Sequence, residues 1–249
     1  MNRPPGLELL SVFRPLAVQA AAVHLYWVNR DDLRDDFWEL LVPLLSPQDW
    51  VEINRLSRPE AQKNLILSRG LLRVLLSEWL GRAPGAIRLV ANPWGKLLIA
   101  DYSLQFNVTH SRSLLVFACS DRFTVGVDVE YVRPLHALAR LVQRYATPGE
   151  QDDYRRLPLA AQPRYFLELW TAKEAYSKAL GTGLTGMLGQ FSRLDTRNPR
   201  EIALPGGWPA HIQRFDLHNN YIGAVCWGVT PGADALKLGQ TQSVDRFPR

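Results

Sequence analysis

Six residues, Val125-Gly126-Val127-Asp128-Val129-Glu130, set the tightest constraint on how this chain can fold. Valine alternates with other residues at the period of a strand. One face carries Val125, Val127 and Val129, and the other carries Gly126, Asp128 and Glu130. The flanking valines predict a well-buried strand, and Gly126 is expected to leave open space beside the acids. The two carboxylates then stand roughly 7 Å apart, at a strand rise of about 3.3 Å per residue. A buried acidic pair needs compensation. About forty residues later, Trp170-Thr171-Ala172-Lys173-Glu174-Ala175-Tyr176-Ser177-Lys178 reads as a helix with Trp170, Glu174 and Lys178 on one face. If that helix packs on the acidic face, three carboxylates and a lysine meet. Such a cluster calls for a cation, and oxygen-only ligands favour a hard one, Mg²⁺ or Mn²⁺.

The 249 residues, 47% of them hydrophobic, suffice for one large domain or two small ones. The net charge of +5 suits a protein that handles anions: phosphates, an acidic protein or nucleic acid. The two cysteines, Cys119 and Cys226, have no metal-like spacing and sit in apolar strand-like runs. They read as buried core thiols in a reducing compartment. Arg3, Pro4, Pro5 and Glu8 break up the N-terminal stretch, and no run approaches the roughly 18 apolar residues of a membrane span. A cytoplasmic protein is expected.

Along the chain, residues 23–28 read as a strand and 33–45 show helical periodicity. Ser46 and Pro47 open a helix as N-cap and first residue. Pro59 opens a longer helix that Gly81 should stop. Short strands at 87–91 and 97–99 flank a turn. Residues 104–110, 114–120 and 123–131 read as an antiparallel meander. Helices are expected at 135–145, 148–156 and 161–180, then strands at 211–217 and 221–228. This order of helices, meander, helices, hairpin predicts two similar α+β halves, residues 1–122 and 123–230, with a tail at 231–249. No sequence repeat relates the halves, and no low-complexity linker separates them.

Further candidates are cationic or hydroxylic. His110 closes a strand beside Thr109 and Ser111, a combination that can hold a phosphate. Lys96 follows the glycine turn at Gly95. Arg55, Arg58, Lys63, Arg69 and Arg73 cluster around the long helix. Taken singly, each pattern also fits an ordinary protein: a solvated strand face, an i,i+4 helical ion pair, a turn histidine, a charged helix surface.

Their combination is more specific. In chain order, Gly95-Lys96, Phe106-Asn107-Val108-Thr109-His110-Ser111, Gly126-x-Asp128-x-Glu130 and Trp170-x-x-Lys173-Glu174-Ala175-x-x-Lys178 resemble the surfactin-synthetase-activating type of 4′-phosphopantetheinyl transferase. The resemblance spans about residues 46–190. The run from Leu169 to Ala175 followed by Gly181-Thr182-Gly183-Leu184 is similar to cyanobacterial members.

The resemblance implies an α+β fold of two similar halves related by pseudo-two-fold symmetry, mainly of antiparallel strands. It implies transfer of the phosphopantetheine arm of coenzyme A to a serine of an apo acyl or peptidyl carrier protein, with adenosine 3′,5′-bisphosphate leaving. Asp128, Glu130 and Glu174 would bind Mg²⁺, or Mn²⁺ in its place. Glu174 would be the general base, directly or through water, with a metal-bound water as the alternative. Lys178 would stabilise the transition state at the α-phosphate. Lys96 and His110 would bind coenzyme A phosphates, His110 the 3′-phosphate, with Thr109 where relatives usually have serine. A frequent arginine of relatives falls at Asn64, so Lys63, Arg55 and Arg69 are the candidates to replace it. Lys173 lies about 100° around the helix from Glu174 and is expected to be structural. The carrier, acidic and helical, should dock beside the 161–180 helix and residues 181–190. At this length one chain has room for both halves, so a monomer is expected, unlike the trimeric short holo-acyl-carrier-protein synthase type.

Two rival classes remain at this level. One is a Mg²⁺-dependent hydrolase of coenzyme A or nucleotide pyrophosphates, using the same acids but passing the group to water. The other is a non-enzymatic basic module for nucleic acid or an acidic partner; the eight scattered tryptophans count against it.

Overall fold

The computed structural model describes residues 9–182, 200–204, 208–217 and 220–228. Two four-stranded antiparallel sheets divide the chain. The first orders β1 (Arg14–Leu16), β2 (His24–Asn29), β6 (Leu114–Ser120) and β5 (Gln105–Ser111) as β1-β2-β6-β5. The second orders β7 (Thr124–Tyr131), β10 (Tyr221–Gly228), β9 (Trp208–Leu217) and β8 (Arg200–Leu204) as β7-β10-β9-β8. A short hairpin, β3 (Leu89–Ala91) with β4 (Leu97–Ile99), stands apart. The expected α+β architecture of antiparallel strands is present. The expected meander is not: β5 and β6 pair, but β7 pairs with β10. The reason is that β2 and β5 already occupy both edges of β6, so β7 has no edge to join and begins the second sheet.

Each sheet carries a long helix. In the first, α1 (Phe37–Leu41) and α2 (Pro47–Asn54) precede α3 (Pro59–Leu80). Leu67, Leu71 and Leu75 of α3 share one core with Val28, Phe117 and Cys119 of the sheet. In the second, α4 (Leu138–Tyr145) and α5 (Pro148–Arg156) precede α6 (Gln162–Leu180). Ala172, Ala175 and Ala179 of α6 pack on Ala224 and Cys226. The opposite faces of the sheets meet each other: Leu25, Trp27 and Val116 join Val125, Val127, Val129 and Val225 in one cluster. Those three β7 valines are at most 1% exposed, so each contributes about 1.5–3 kcal/mol of burial. Both cysteines are free and fully buried, and burial pushes each thiol up to about 12, which makes them inert core residues.

The halves also repeat a device that the linear sequence hides. Ser46-Pro47-x-Asp49 starts α2 and Thr147-Pro148-x-Glu150 starts α5, each a reciprocal capping box with proline at the first position. Each acid then accepts from a buried cation on the long helix. Arg73 Nε donates to Asp49 at 2.6 Å, and Lys173 Nζ donates to Glu150 at 2.6 Å. Both long helices end on a left-handed glycine, Gly81 (φ 62°) and Gly181 (φ 73°), whose N–H bonds back to Ser77 and Ser177. Lys173, expected to be structural, is 2% exposed and also bonds the Tyr145 carbonyl at 2.7 Å.

Gly126 does not border open space. A Cβ there would lie 2.1 Å from the Ala175 carbonyl oxygen and 2.2 Å from the Ala179 nitrogen. The bare glycine is what lets the α6 backbone lie directly on β7. Close approach, rather than a void, brings the helix to the acidic strand face.

Candidate active site

The site forms where β5, the edge of the first sheet, runs beside β7, the edge of the second. No main-chain ladder joins them; side chains of β5 do. Asn107 Oδ1 accepts from the Val127 N–H at 2.9 Å. Thr109 Oγ1 donates to Asp128 Oδ1 at 3.0 Å. Ser111 Oγ accepts from the Tyr131 N–H at 3.1 Å and donates to Glu130 at 2.9 Å. These residues alternate along β5, so strand geometry alone turns all three toward β7. Asn107, which no chemical pattern singles out, joins the site through the Asn-x-Thr-x-Ser alternation, and Ser111, expected to help hold a phosphate, holds Glu130 instead.

Across the seam stands α6. Lys178 Nζ donates to Asp128 Oδ1 at 2.6 Å and to Thr109 Oγ1 at 3.2 Å. Asp128 Oδ2 is buried without a hydrogen-bond partner. Burial raises Asp128 above the usual carboxylate range even with Lys178 and Thr109 against it. Burial, then the charge of Asp128, raises Glu130 against the opposing Ser111 bond. Glu174 is pushed up to about 7 by burial, by Asp128 and by Glu130, with Lys178 opposing. Burial is the largest cause at all three; beyond it Asp128 raises Glu130 and Glu174, and Glu130 raises Glu174, while Asp128 itself is paired with Lys178.

Among the described residues no three His, Cys, Asp or Glu side chains stand close enough as they lie to hold one ion. The Lys178 ammonium sits against Asp128 where a metal ligand would need its own cation. The chemistry of the set nonetheless fits a hard divalent ion: all donors are carboxylate oxygens, and Asp128 Oδ2 is an orphaned buried acceptor.

Basic side chains flank the acids in two neighbouring cavities. His110 is exposed at the end of β5; partial burial of its ring, Arg30 and Lys178 hold it below its ordinary value. Arg30 donates to Asn64 Oδ1 and to the Arg112 carbonyl, so its guanidinium stands against Asn64 of α3. Lys63 and Asn64 line a cavity of about 1090 Å³ with Arg30, Arg112, Tyr131 and Tyr221. Arg69 pairs with Glu52, keeps a buried Nε without a hydrogen-bond partner, and lines a second cavity of about 410 Å³ with Trp94, Lys96, Glu174 and Lys178. Lys96 is only 8% exposed, and its ammonium donates to the Val125 and Ala179 carbonyls at 3.2 and 2.9 Å. Burial lowers it to about 8, and as it lies it ties the end of α6 to β7. Arg55 is exposed at the C-cap of α2. The structure therefore gathers Thr109, His110, Asp128, Glu130, Glu174 and Lys178, with Lys63 and Arg69 in the flanking cavities. It adds Arg30 and Arg112, which sequence patterns did not single out. Of residues 181–190, expected to dock a carrier, only Gly181 and Thr182 are described; the rest, and the 231–249 tail, lie outside the described residues.

This arrangement agrees with what known proteins share with the chain. The family model of the 4′-phosphopantetheinyl transferase superfamily matches residues 124–226, from the first residue of β7 into β10. The 4′-phosphopantetheinyl transferase HetI of Nostoc sp. is 30% identical over 212 residues, 84% of this chain and 85% of its own. The 4′-phosphopantetheinyl transferase Sfp of Bacillus subtilis (strain 168) is 28% identical over 191 residues, 76% of this chain and 84% of its own. The 4′-phosphopantetheinyl transferase ffp of Bacillus subtilis is 29% identical over 206 residues, 81% and 91% respectively. The chain belongs to the 4′-phosphopantetheinyl transferase superfamily and is an enzyme of that class.

Proposed function

We propose that the chain transfers the 4′-phosphopantetheine arm of coenzyme A to a serine hydroxyl of an apo acyl or peptidyl carrier protein, releasing adenosine 3′,5′-bisphosphate. The observation that carries this reading is the buried acidic face of β7, with the orphaned Asp128 Oδ2 and Lys178 bonded to Asp128, facing a Glu174 that both β7 acids raise. Asp128, Glu130 and Glu174 would hold Mg²⁺, or Mn²⁺, which when bound offsets the charge developing on the diphosphate.

The remaining steps belong to the side chains. Glu174 is the general base for the serine proton, directly or through water, with a metal-bound water as the alternative. Lys178 presents a point charge to the phosphate as the bond to the leaving bisphosphate breaks. His110, Arg30, Arg112, Lys63 and Arg69 offer the anion-binding groups for the coenzyme A phosphates, and Lys96 supports the end of α6 from below. The +5 net charge steers an acidic, helical carrier surface toward the enzyme. Because β5 and β7 of one chain both build the site, a monomer suffices. Neither nucleic acid nor a membrane takes part, and among the described residues no helix is long and apolar enough to cross a membrane. The reduced, buried cysteines suit the cytoplasm.

The test is a mass-shift assay of apo carrier proteins with coenzyme A, with and without Mg²⁺. A gain of one phosphopantetheine on the carrier, with stoichiometric bisphosphate and only with metal, is expected. Bisphosphate released at the same rate without any carrier would instead establish the hydrolase.

A further inference from the structure

We propose that the Glu150–Lys173 ion pair is a positioning device that sets the rotation of α6 and thereby aims Glu174 and Lys178 at β7. The role rests on the transfer reaction proposed above. Lys173 precedes Glu174, and its side chain leaves the helix on a different face, into the ends of α4 and α5. There Nζ bonds the Glu150 carboxylate at 2.6 Å and the Tyr145 carbonyl at 2.7 Å. Glu150 is itself immobilised, 1% exposed, because its carboxylate also accepts from the Thr147 N–H at 2.7 Å in the capping box. On another side of α6, Ala175 and Ala179 rest on Gly126. The glycine contact fixes how close the helix lies, but two smooth backbones do not fix its rotation. Side-chain contacts do. The ion pair is the fully buried one next to Glu174, whereas the Arg164–Asp216 and Glu168–Arg214 pairs lie more than a turn earlier and are part-exposed. A helix with side chains has a radius of about 5–6 Å, so a 15° rotation displaces a carboxylate by about 1.5 Å. Misplacement of about 1 Å can cost on the order of a hundredfold in rate.

The first half supplies an internal control. Arg73 makes the same lock with Asp49, and its other donors reach the Pro84 and Ile87 carbonyls at 2.8 Å. No carboxylate follows it; the next residue is Val74, 5% exposed in the core. The two locks also divide their length differently. A short acid meets a long cation in Asp49–Arg73, and a long acid meets a short cation in Glu150–Lys173.

The experiment measures kcat and KM for transfer to an apo carrier, with melting temperature, in the full-length protein. Glu150→Gln should lower kcat tenfold or more while KM for coenzyme A stays within about threefold. Asp49→Asn should lower the melting temperature to a similar extent and leave kcat of the folded protein within about twofold. Transplanting the first half's pair, Glu150→Asp with Lys173→Arg, should return kcat to within about threefold, which Glu150→Asp alone should not do. If Glu150→Gln does not fold, the apolar pair Glu150→Leu with Lys173→Met carries the test, because buried ion pairs are often replaceable by apolar pairs without loss of stability. That variant should fold and still lose kcat tenfold. Retention of kcat in the folded Glu150→Gln or apolar-pair protein would overturn the positioning role, as would equal losses of kcat in the two halves. A wild-type protein that modifies no apo carrier would instead sink the transfer reaction itself.

Discussion

The two sheets share a three-strand core order and each long helix has a buried ion-pair lock, yet only β7 turns acids toward its helix. β2 and β7 each precede the helices of their half, and β2-β6-β5 is matched by β7-β10-β9. On β2 the side chains turned to α3 are Tyr26 and Val28, part of an apolar core. On β7 the corresponding face carries Asp128 and Glu130. After the lock cation comes Val74 in the first half and Glu174 in the second; four residues further on stand Glu78 and Lys178. The first half thus completes a core where the second accepts desolvated charge. The comparison locates the site by where the rules of core packing are broken, and it identifies the first half as the scaffold that holds β5 against β7.

The largest effect should come from restoring symmetry at these paired positions. Glu174→Gln keeps the shape and removes the charge. Transfer should fall by about 10³-fold, toward the upper range for a general base. In metal-free buffer at pH 8 the melting temperature should rise by a few degrees, because a carboxylate held at a raised pKa is gone. The reverse exchange, Val74→Glu, places an unpaired carboxylate in the first core and should destabilise by about 3–5 kcal/mol. Kinetics and thermal melts on both variants decide it. A destabilised Glu174→Gln, or a tolerated Val74→Glu, would mean that the halves do not differ in the way described.

A smaller effect is expected at the glycines that admit helices. At Gly126 an added methyl meets backbone on α6 at 2.1 Å, so the helix as a whole must move. Gly126→Ala should cost about 1–3 kcal/mol and reduce transfer by ten- to a hundredfold. At Gly70 the methyl meets Leu41 Cβ at 2.5 Å, an atom fixed to its own backbone, so α1 must shift, although alanine is the better helix former by about 1 kcal/mol. Gly70→Ala should therefore also cost about 1–3 kcal/mol, but leave transfer near wild type, because the element that moves is α1 and not α6. Equal kinetic losses would show that α6 is no more exacting than α3.

Much of this was legible in the sequence because it is local. Caps at Ser46, Pro59 and Gly81, the alternation of β7, and the i,i+4 spacing of Glu174 and Lys178 are each written within a few residues. What was not legible depends on partners distant along the chain. Whether β7 joins β6 or opens a new sheet depends on which edges of β6 are already used. Gly126 alone cannot say whether it leaves a gap or admits a helix. Lys96 follows a glycine turn, a local pattern that presents a lysine to an anion, yet its ammonium ends among carbonyls of β7 and α6. Arg30 belongs to no motif and enters through contacts with Asn64 and Arg112. The repeated lock escaped notice because only its chemistry is shared: Asp49 with Arg73, Glu150 with Lys173, at separations of 24 and 23 residues.

The smallest effect, and the one that separates the halves most cleanly, is the response of stability to pH without divalent ions. Glu174 has a folded value of about 7 against 4.5 for its ordinary value, so the folded state binds the proton more tightly. Its contribution is fully present below pH 4.5 and is lost as pH rises through about 7. Asp128 and Glu130, also raised, act in the same direction. In the first half Asp49 has the opposite sign. Burial pushes it up, but Arg73 and Ser46 outweigh burial and hold it below its ordinary value of 3.8. Its contribution is present above 3.8 and is lost as pH falls through the lower folded value. His110, depressed by burial, Arg30 and Lys178, opposes the acids below its ordinary 6.5, but its exposed ring makes that a minor opposition. The melting temperature should therefore peak near pH 4.5–5.5, falling by a few degrees toward pH 8 and again below pH 4. Glu174→Gln should flatten the alkaline arm alone, Asp49→Asn the acid arm alone, and about 10 mM Mg²⁺ should raise the alkaline arm by binding the ionised carboxylates. A profile that rises monotonically to pH 8 without metal would mean that the three acids of the second half are already compensated, and that the cluster has no use for a divalent ion.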